Sequence, residues 1–167
     1  DCASLTVNSG STLSIDKMSG LAVAGSTINY GTITSENNPA WNPYLRTGDF
    51  VNSGTLNLNG SNGKGLLYLT GSMSNTGVLI LNSTDVIFYR SSNTANTVNG
   101  ITTNGDISLT RTAGSVTFTG NVNGNSLTIN GIGGTLNLGS GLTHTITGTV
   151  TLSGGTLNGG SSTLSAN

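Results

Sequence analysis

The chain has 167 residues with five basic and six acidic side chains, and its net charge of −1 excludes the basic surface by which proteins commonly bind nucleic acid. No apolar run approaches the ~20 residues of a membrane-spanning helix, so no membrane span is predicted. Gly, Ser, Thr and Asn make up more than half of the chain. The hydrophobic 34% lies mainly in short runs of Leu, Ile and Val, which favours one folded domain over a disordered linker.

Two short runs near the start, residues 4–7 and 12–15, alternate apolar with polar side chains. This period of two is typical of strands with one buried face. Cys2 precedes the first run and is the single cysteine of the chain. We expect it to be a small, buried residue at the first strand, although a free thiol or a disulfide to a cysteine outside this segment stays open.

Residues 36–50 interrupt the pattern and contain both prolines and the only tryptophan. Because proline cannot donate to a sheet ladder, this segment is predicted to be a loop insertion that leaves the regular fold. Its aromatic side chains predict a platform for a sugar ring, flanked by polar contacts. The alternative is that the tryptophan folds back over the fold and seals its wall. The candidate ligand-binding residues are Glu36, Trp41, Tyr44, Arg46 and Asp49.

Alternating runs resume after this segment, and seven Asn-Gly pairs separate many of them. Both residue types tolerate positive φ and therefore mark sharp turns. The clearest runs are residues 54–58, 77–81, 115–118, 126–129, 134–138 and 149–152. No stretch shows the 3.6-residue periodicity of an amphipathic helix, so the fold is predicted to be all-β.

A longer period distinguishes the two all-β architectures that such turns allow. Val86 aligns with Ile107 and Phe88 with Leu109 at a separation of 21, and Ile129 follows about 20 residues later. An antiparallel sandwich is the alternative, but we would not expect it to keep one spacing along the chain. The spacing predicts a parallel, three-sided β-solenoid of 20–23 residues per coil that spans 1–167 as a single domain. Right-handed winding is the expectation for parallel crossovers.

The same spacing predicts which side chains lie above one another. The first column also places Lys64 under Asp85, Leu67 under Phe88 and Tyr68 under Tyr89, and it continues to Leu127, Val150 and Leu152. A second column is predicted to contain Leu56, Leu58, Val78, Ile80, Val98, Val116, Phe118, Leu136, Leu138 and Leu157. A third is predicted to contain Ile101, Val122, Leu142 and Leu164.

Few residues in this pattern could carry chemistry. Asp85 and Asp106 would lie about 5 Å apart on adjacent coils, a spacing compatible with a retaining glycosidase pair or a calcium site. A charge-neutralising ladder with Lys64, Arg90 and Arg111 on the outer wall is the preferred interpretation, and no metal or cofactor is predicted. His144 has no partner for a zinc site or a triad and is predicted to face solvent.

Outward threonines also occur in the arrays of ice-binding solenoids. Here, however, Thr117 is predicted to stack near Asn137, which breaks the regular array and disfavours ice binding.

The runs at residues 2–15 and 53–60 resemble the repeats of secreted β-helix adhesins of the Bacteroidetes, and they are similar to filamentous-haemagglutinin and autotransporter passenger solenoids. The resemblance implies an extracellular or cell-surface location and a role in adhesion or filament building. The predicted function is a non-enzymatic structural or adhesive module within a longer bacterial surface protein. Its expected partners are other segments of that protein, like subunits end to end, and cell-surface glycans.

Two alternatives to this function stay open. The first is a glycan-binding module acting through residues 36–50. The second is a polysaccharide-processing solenoid enzyme that uses Asp85 and Asp106.

Overall fold

The computed structural model describes residues 1–15, 20–35, 42–59, 64–89 and 93–167, which form 23 β-strands and no helix. In chain order the strands are β1 Leu5–Val7, β2 Thr12–Ile15, β3 Gly20–Ala22, β4 Thr27–Asn29, β5 Thr32–Ser35, β6 Tyr44–Thr47, β7 Phe50–Asn52, β8 Thr55–Asn57, β9 Leu66–Leu69, β10 Met73–Asn75, β11 Val78–Ile80, β12 Asp85–Phe88, β13 Ala95–Val98, β14 Ile101–Thr102, β15 Ile107–Leu109, β16 Ser115–Phe118, β17 Val122–Gly124, β18 Leu127–Ile129, β19 Thr135–Asn137, β20 Thr143–Ile146, β21 Val150–Leu152, β22 Thr156–Asn158 and β23 Thr163–Ala166.

Every third strand belongs to the same face of the molecule. One eight-stranded sheet, from β1 to β22, forms the first face, and one seven-stranded sheet, from β3 to β21, forms the third face. The second face is divided into two four-stranded sheets, β2 to β11 and β14 to β23. All strand pairs are parallel, as in the pairing of β12 with β15. The chain is therefore a three-sided β-solenoid of about seven coils, and the antiparallel sandwich is excluded.

The predicted spacing of 20–23 residues is confirmed for β12, β15 and β18, on which the prediction was based. Val86 pairs with Ile107 and Phe88 with Leu109, and Ile129 follows Leu109 in the next coil. Elsewhere the separation varies from 19 residues, between Leu66 and Asp85, to 25, between Met73 and Val98. The corners differ in length, whereas the strands keep their register.

One predicted register is wrong by two residues. Asp85 pairs with Leu66 instead of lying over Lys64, and Leu67 lies under Val86 instead of Phe88. A shift of two residues leaves every side chain on the same face of a strand, so alternation alone cannot detect it. The coil from β9 to β12 is therefore 19 residues long instead of the predicted 21, and alternation does not reveal the difference.

The predicted second and third columns also need correction. Leu56 pairs with Leu79 on the second face, whereas Val116, Leu136 and Leu157 belong to the first face. The third column contains His144, which pairs with Leu164, where the sequence pattern had placed Leu142. Similar runs of alternating leucines fit either face, and only the corner lengths decide between them.

The inward side chains form one apolar core along the length of the coil. Leu45, Leu67, Val86 and Ile107, for example, follow one another on the third face and are completely buried. Each coil adds only a few such residues, so the stability of a coil depends on its neighbours above and below.

A row of asparagines, two of them buried and one half-buried, runs through the corner between the first and second faces. Asn29, Asn52 and Asn75 end successive strands of the first face. The side-chain amide of Asn29 donates to Oδ1 of Asn52 (2.7 Å), and the amide of Asn52 donates to Oδ1 of Asn75 (2.7 Å). Each amide also donates to backbone carbonyls across the corner, such as Thr55 O from Asn29 (2.9 Å). We call these three residues the asparagine row.

Glycines stack beside this row because the corners lie directly over one another. Gly31, Gly54 and Gly77 each follow two residues after an asparagine of the row. A Cβ atom at Gly54 would overlap the carbonyl oxygen of Gly31, and a Cβ atom at Gly77 would overlap that of Gly54. Only glycine fits this close approach of backbones.

The second face changes sheet between β11 and β14, which do not pair. At this level the buried hydroxyl of Thr103 lies 3.1 Å from the carbonyl oxygen of Leu81 and accepts the N–H of Gly105 (2.9 Å). Val78, at the edge of the interrupted sheet, is 53% exposed. Backbone groups near the break are therefore satisfied partly by side chains.

Among the described residues there is no helix of the length and hydropathy needed to cross a membrane.

Candidate functional site

Three tyrosines line the outside of the third face on successive coils. The ring centroids of Tyr44 and Tyr68 lie 6.1 Å apart at an interplanar angle of 88°, and those of Tyr68 and Tyr89 lie 6.2 Å apart at 76°. These are edge-to-face contacts, which aromatic pairs favour. Tyr89 is 45% exposed, and the other two rings are half-buried. We call this set, with Arg46, the tyrosine groove.

The coil below holds the first ring in place. Tyr44 pairs with Gly20, and a Cβ atom at Gly20 would overlap the ring of Tyr44. The ring therefore occupies the space that a side chain at Gly20 would fill. This packing fixes the ring at the outer surface of β3 and β6.

Arg46 follows two residues after Tyr44 and so points to the same side of β6. Tyr44, Arg46, Tyr68 and Tyr89 surround a cavity of about 360 Å³. A second cavity of about 290 Å³ shares Arg46 and Tyr89 and is otherwise lined by Val23, Ala24 and Thr70. The guanidinium Nη2 of Arg46 lies 3.7 Å from Oδ1 of Asp1, and both side chains are largely accessible.

The structure brings only part of the predicted sugar platform together. Tyr44 and Arg46 share the tyrosine groove, but Asp49 lies at the following corner, where its Oδ1 accepts the N–H of Ser72 (2.8 Å). Asp49 thus joins two coils instead of lining the groove. Glu36 and Trp41 lie outside the described residues.

The second half of the predicted 36–50 insertion is regular solenoid. Tyr44–Thr47 and Phe50–Asn52 are strands β6 and β7, paired with the coils on either side. The prolines had suggested an irregular segment. Pro43, however, directly precedes β6, where its carbonyl accepts the N–H of Leu66 (2.9 Å) and its missing N–H does not interrupt a strand.

Asp85 and Asp106 lie on adjacent coils, as predicted, and both carboxylates are used in hydrogen bonds along the wall. Oδ1 of Asp85 accepts the N–H of Asp106 (2.8 Å), and Oδ1 of Asp106 accepts the amide of Asn125 (2.8 Å). Within the described ranges, no group of three His, Cys, Asp or Glu side chains could hold a metal ion.

Two of the cations expected to neutralise these carboxylates lie elsewhere, and the third, Arg90, lies outside the described residues. Lys64 is two residues out of the predicted register, and Arg111 is buried. The Arg111 guanidinium lies 3.4 Å from the carbonyl oxygens of Thr94 and Ser115, and burial lowers the pKa of this group from its ordinary value. The predicted outer charge ladder is therefore replaced by a ladder of hydrogen bonds.

His144 faces the core, contrary to the sequence prediction. Its Nδ1 accepts the N–H of Val122 (3.1 Å), its Nε2 lies 2.8 Å from the carbonyl oxygen of Leu138, and its ring lies 5.5 Å from that of Phe118. These contacts correspond to a neutral imidazole that carries its proton on Nε2. The residue links two coils by hydrogen bonds and has a structural role.

Cys2 is a half-buried free thiol whose backbone bridges to Val23 in the coil above. This position agrees with its expected place beside the first strand.

Tyr68 and Tyr89 are the site residues that the sequence reasoning missed. Both were placed in the first column, but their outward positions were not connected with Tyr44. Alternation does indicate that Tyr44 and Arg46 point outward, because their neighbours in β6 are buried. Tyr68 occupies the outward position that pairs with Arg46 one coil later. Ring contact on the diagonal between coils is not visible in a linear alignment.

No protein-family model matches this chain, and the searches of curated proteins and of solved structures found no similar protein.

Proposed function

We propose that this protein is a non-enzymatic structural and adhesive module of an extracellular bacterial surface protein, and that it binds glycans through the tyrosine groove. The observation that carries this proposal is the row of three outward tyrosines beside Arg46, in a chain of which Gly, Ser, Thr and Asn make up more than half. Clustered aromatic surface on a polar protein commonly marks a binding site.

The chemistry of the groove fits a carbohydrate. A tyrosine ring offers an apolar face to the C–H groups of a sugar, while its hydroxyl group can bond to sugar hydroxyls. The cavity of about 360 Å³ lies within the ~300–1,000 Å³ usual for small-ligand sites. Because parallel strands and the coil below hold these rings, the groove is largely formed before a ligand binds, which lowers the entropic cost of binding.

Glycan-array screening of the purified protein tests the proposal. We expect specific glycan binding by the unmodified protein and at least tenfold weaker binding by Tyr68→Ala and Tyr89→Ala. Tyr30→Ala is the matched control, because Tyr30 is also exposed (51%) but does not line the groove. Absence of binding, or equal losses in all three variants, would contradict the proposal.

A structural role of the rod has separate support. Parallel pairing along the first face runs without interruption from β1 to β22, so one hydrogen-bonded ladder connects every coil. Such a ladder resists local opening and suits a stiff spacer. Hydrogen exchange tests this role: amides of the inner first-face strands should be strongly protected, and rapid exchange throughout the sheet would contradict it.

The alternative enzymatic function has less support. The carboxylates of Asp85 and Asp106 each accept a hydrogen bond from the coil above, as a structural ladder requires. Undiminished polysaccharide cleavage by Asp85→Asn/Asp106→Asn, or no cleavage by the unmodified protein, would eliminate this pair as a catalytic site.

A further inference from the structure

We infer that the ligand of the tyrosine groove is an acidic oligosaccharide, which spans two subsites and places a carboxylate on Arg46. This inference rests on the proposed glycan-binding function and specifies its ligand class.

The two cavities on this wall form one groove. Both are lined by Arg46 and Tyr89, so these residues lie where the cavities meet. On one side are the rings of Tyr44 and Tyr68, and on the other are the small side chains of Val23, Ala24 and Thr70. A ligand that fills both sides must be longer than one sugar ring and must pass Arg46.

The two sides of this junction favour different parts of a sugar chain. The aromatic side offers ring faces for stacking against C–H groups. The other side presents a hydroxyl and small aliphatic groups, which leave room for a sugar ring without a stacking partner. An oligosaccharide can occupy both sides, whereas a flat aromatic ligand would use only the first.

The charge of the groove selects for an anion. Arg46 is the only charged side chain among the described residues that line the two cavities. Its side chain is 44% exposed, and its contact with Asp1 is 3.7 Å long and involves a carboxylate that is 74% exposed. Such an exposed pair contributes little, so a ligand carboxylate can replace Asp1 at small cost.

Arginine is suited to this exchange because its planar guanidinium can bind a carboxylate through two parallel hydrogen bonds. The flanking aromatic rings exclude part of the solvent and reduce screening of that contact. A uronic acid combines the required carboxylate with a ring that can stack, which makes uronate-containing chains the ligand class of choice.

Isothermal titration with hexagalacturonate and with its fully methyl-esterified form tests the inference, because the two probes share a backbone and differ in charge. We expect the acidic hexamer to bind about tenfold more tightly, with an advantage that shrinks as salt rises. Arg46→Gln should abolish that difference, whereas Lys64→Gln, which removes an exposed positive charge outside the groove, should preserve it.

Tyr89→Ala should weaken the binding of both probes, and a circular dichroism spectrum should show that it keeps its fold. Equal affinity of the unmodified protein for the two hexamers would overturn the acidic-ligand inference, and so would the absence of binding to either hexamer. So would a preference that survives in Arg46→Gln. The proposed glycan-binding function would still stand if the array identified neutral glycans that depend on Tyr68 and Tyr89, so the two failures are distinguishable.

Discussion

The coils up to β12 and the coils from β13 onward have the same backbone path but different interiors and surfaces. The lower coils, β1–β12, contain the asparagine row and the tyrosine groove, whereas glycines packed against the backbone of the coil below occur in both halves. The upper coils, β13–β23, have the buried ring of His144 beside Phe118. Their outer ladder of hydrogen bonds joins Asn158 to Asn137 and Asn137 to Thr117.

This difference shows that a parallel coil constrains the positions of side chains more than their chemistry. The lower coils satisfy polar groups inside the corner, where hydrogen bonds are shielded from water. The upper coils place comparable ladders on the outside, where water competes for the same groups. Substitutions at matched positions should therefore have larger effects in the lower coils.

The largest expected effect is that of Gly54→Ala. The new Cβ atom would overlap the backbone carbonyl of Gly31, which cannot move without shifting the coil below. We expect the free energy of unfolding to fall by more than about 3 kcal/mol, measured by urea denaturation. Gly159→Ala is the control for a glycine in open space, because a Cβ there meets no atom within 4 Å. Similar losses in the two variants would show that overlap with Gly31 is not the cause of the loss.

Asn52→Leu should have the next largest effect. It keeps the side-chain volume but removes the amide that donates to Asn75 Oδ1 and accepts from Asn29. Buried groups left without partners cost about 1–3 kcal/mol each, so we expect a loss of about 3 kcal/mol in the same measurement. Asn137→Leu, which interrupts the outer ladder, should cost less than about 1 kcal/mol. A larger loss for Asn137→Leu than for Asn52→Leu would show that the asparagine row does not stabilise the protein more than the outer ladder does.

His144→Leu removes the buried imidazole that connects β20 to Val122 in the coil below by a hydrogen bond. The leucine fills the core but leaves the N–H of Val122 and the carbonyl of Leu138 without the imidazole. We expect a loss of about 2 kcal/mol in unfolding free energy and faster hydrogen exchange at the Val122 amide. A variant as stable as the original protein would mean that the histidine contributes only volume.

The smallest expected effect concerns the lower end of the asparagine row. Oδ1 of Asn29 has no hydrogen-bond partner among the described residues, and Val7 occupies the paired position in the coil below. Val7→Asn would supply a donor but lose buried apolar surface, so its net effect should be within about 1 kcal/mol. A double-mutant cycle with Asn29→Val should show a favourable coupling of about 1 kcal/mol. Additive effects would contradict this account of the row.

The sequence was sufficient to predict the all-β class, the parallel stacking and the three sides, because alternation and the repeated spacing from Val86 to Ile107 can both be read directly from the sequence. It was not sufficient to assign runs to faces, because corners vary in length and a shift of two residues preserves alternation. His144 shows the same limit. Its polar side chain suggested solvent, whereas the register placed it beside Val122 in the core.

The site was only partly predictable for a related reason. Tyr44 and Arg46 stood out because of their neighbourhood in the chain, but Tyr68 and Tyr89 join them through contacts between coils. The signature of the asparagine row is its interval: an asparagine followed two residues later by glycine occurs at Asn29, Asn52 and Asn75, 23 residues apart, whereas the same pair at Asn8, Asn137 and Asn158 does not keep this interval. Such a repeat marks a corner more specifically than single Asn-Gly pairs do.

The direction of the asparagine row restricts how a molecule of this kind can lengthen. Asn29 and Asn52 each donate to the amide oxygen of the following coil, so the row has a distinct donor end and acceptor end. Tandem duplication of one 23-residue unit that begins at Asn52 would insert a coil with both ends matched. A unit copied from the upper coils would break the chain of amides at two places. Growth of the lower half should therefore proceed by copying its own coils.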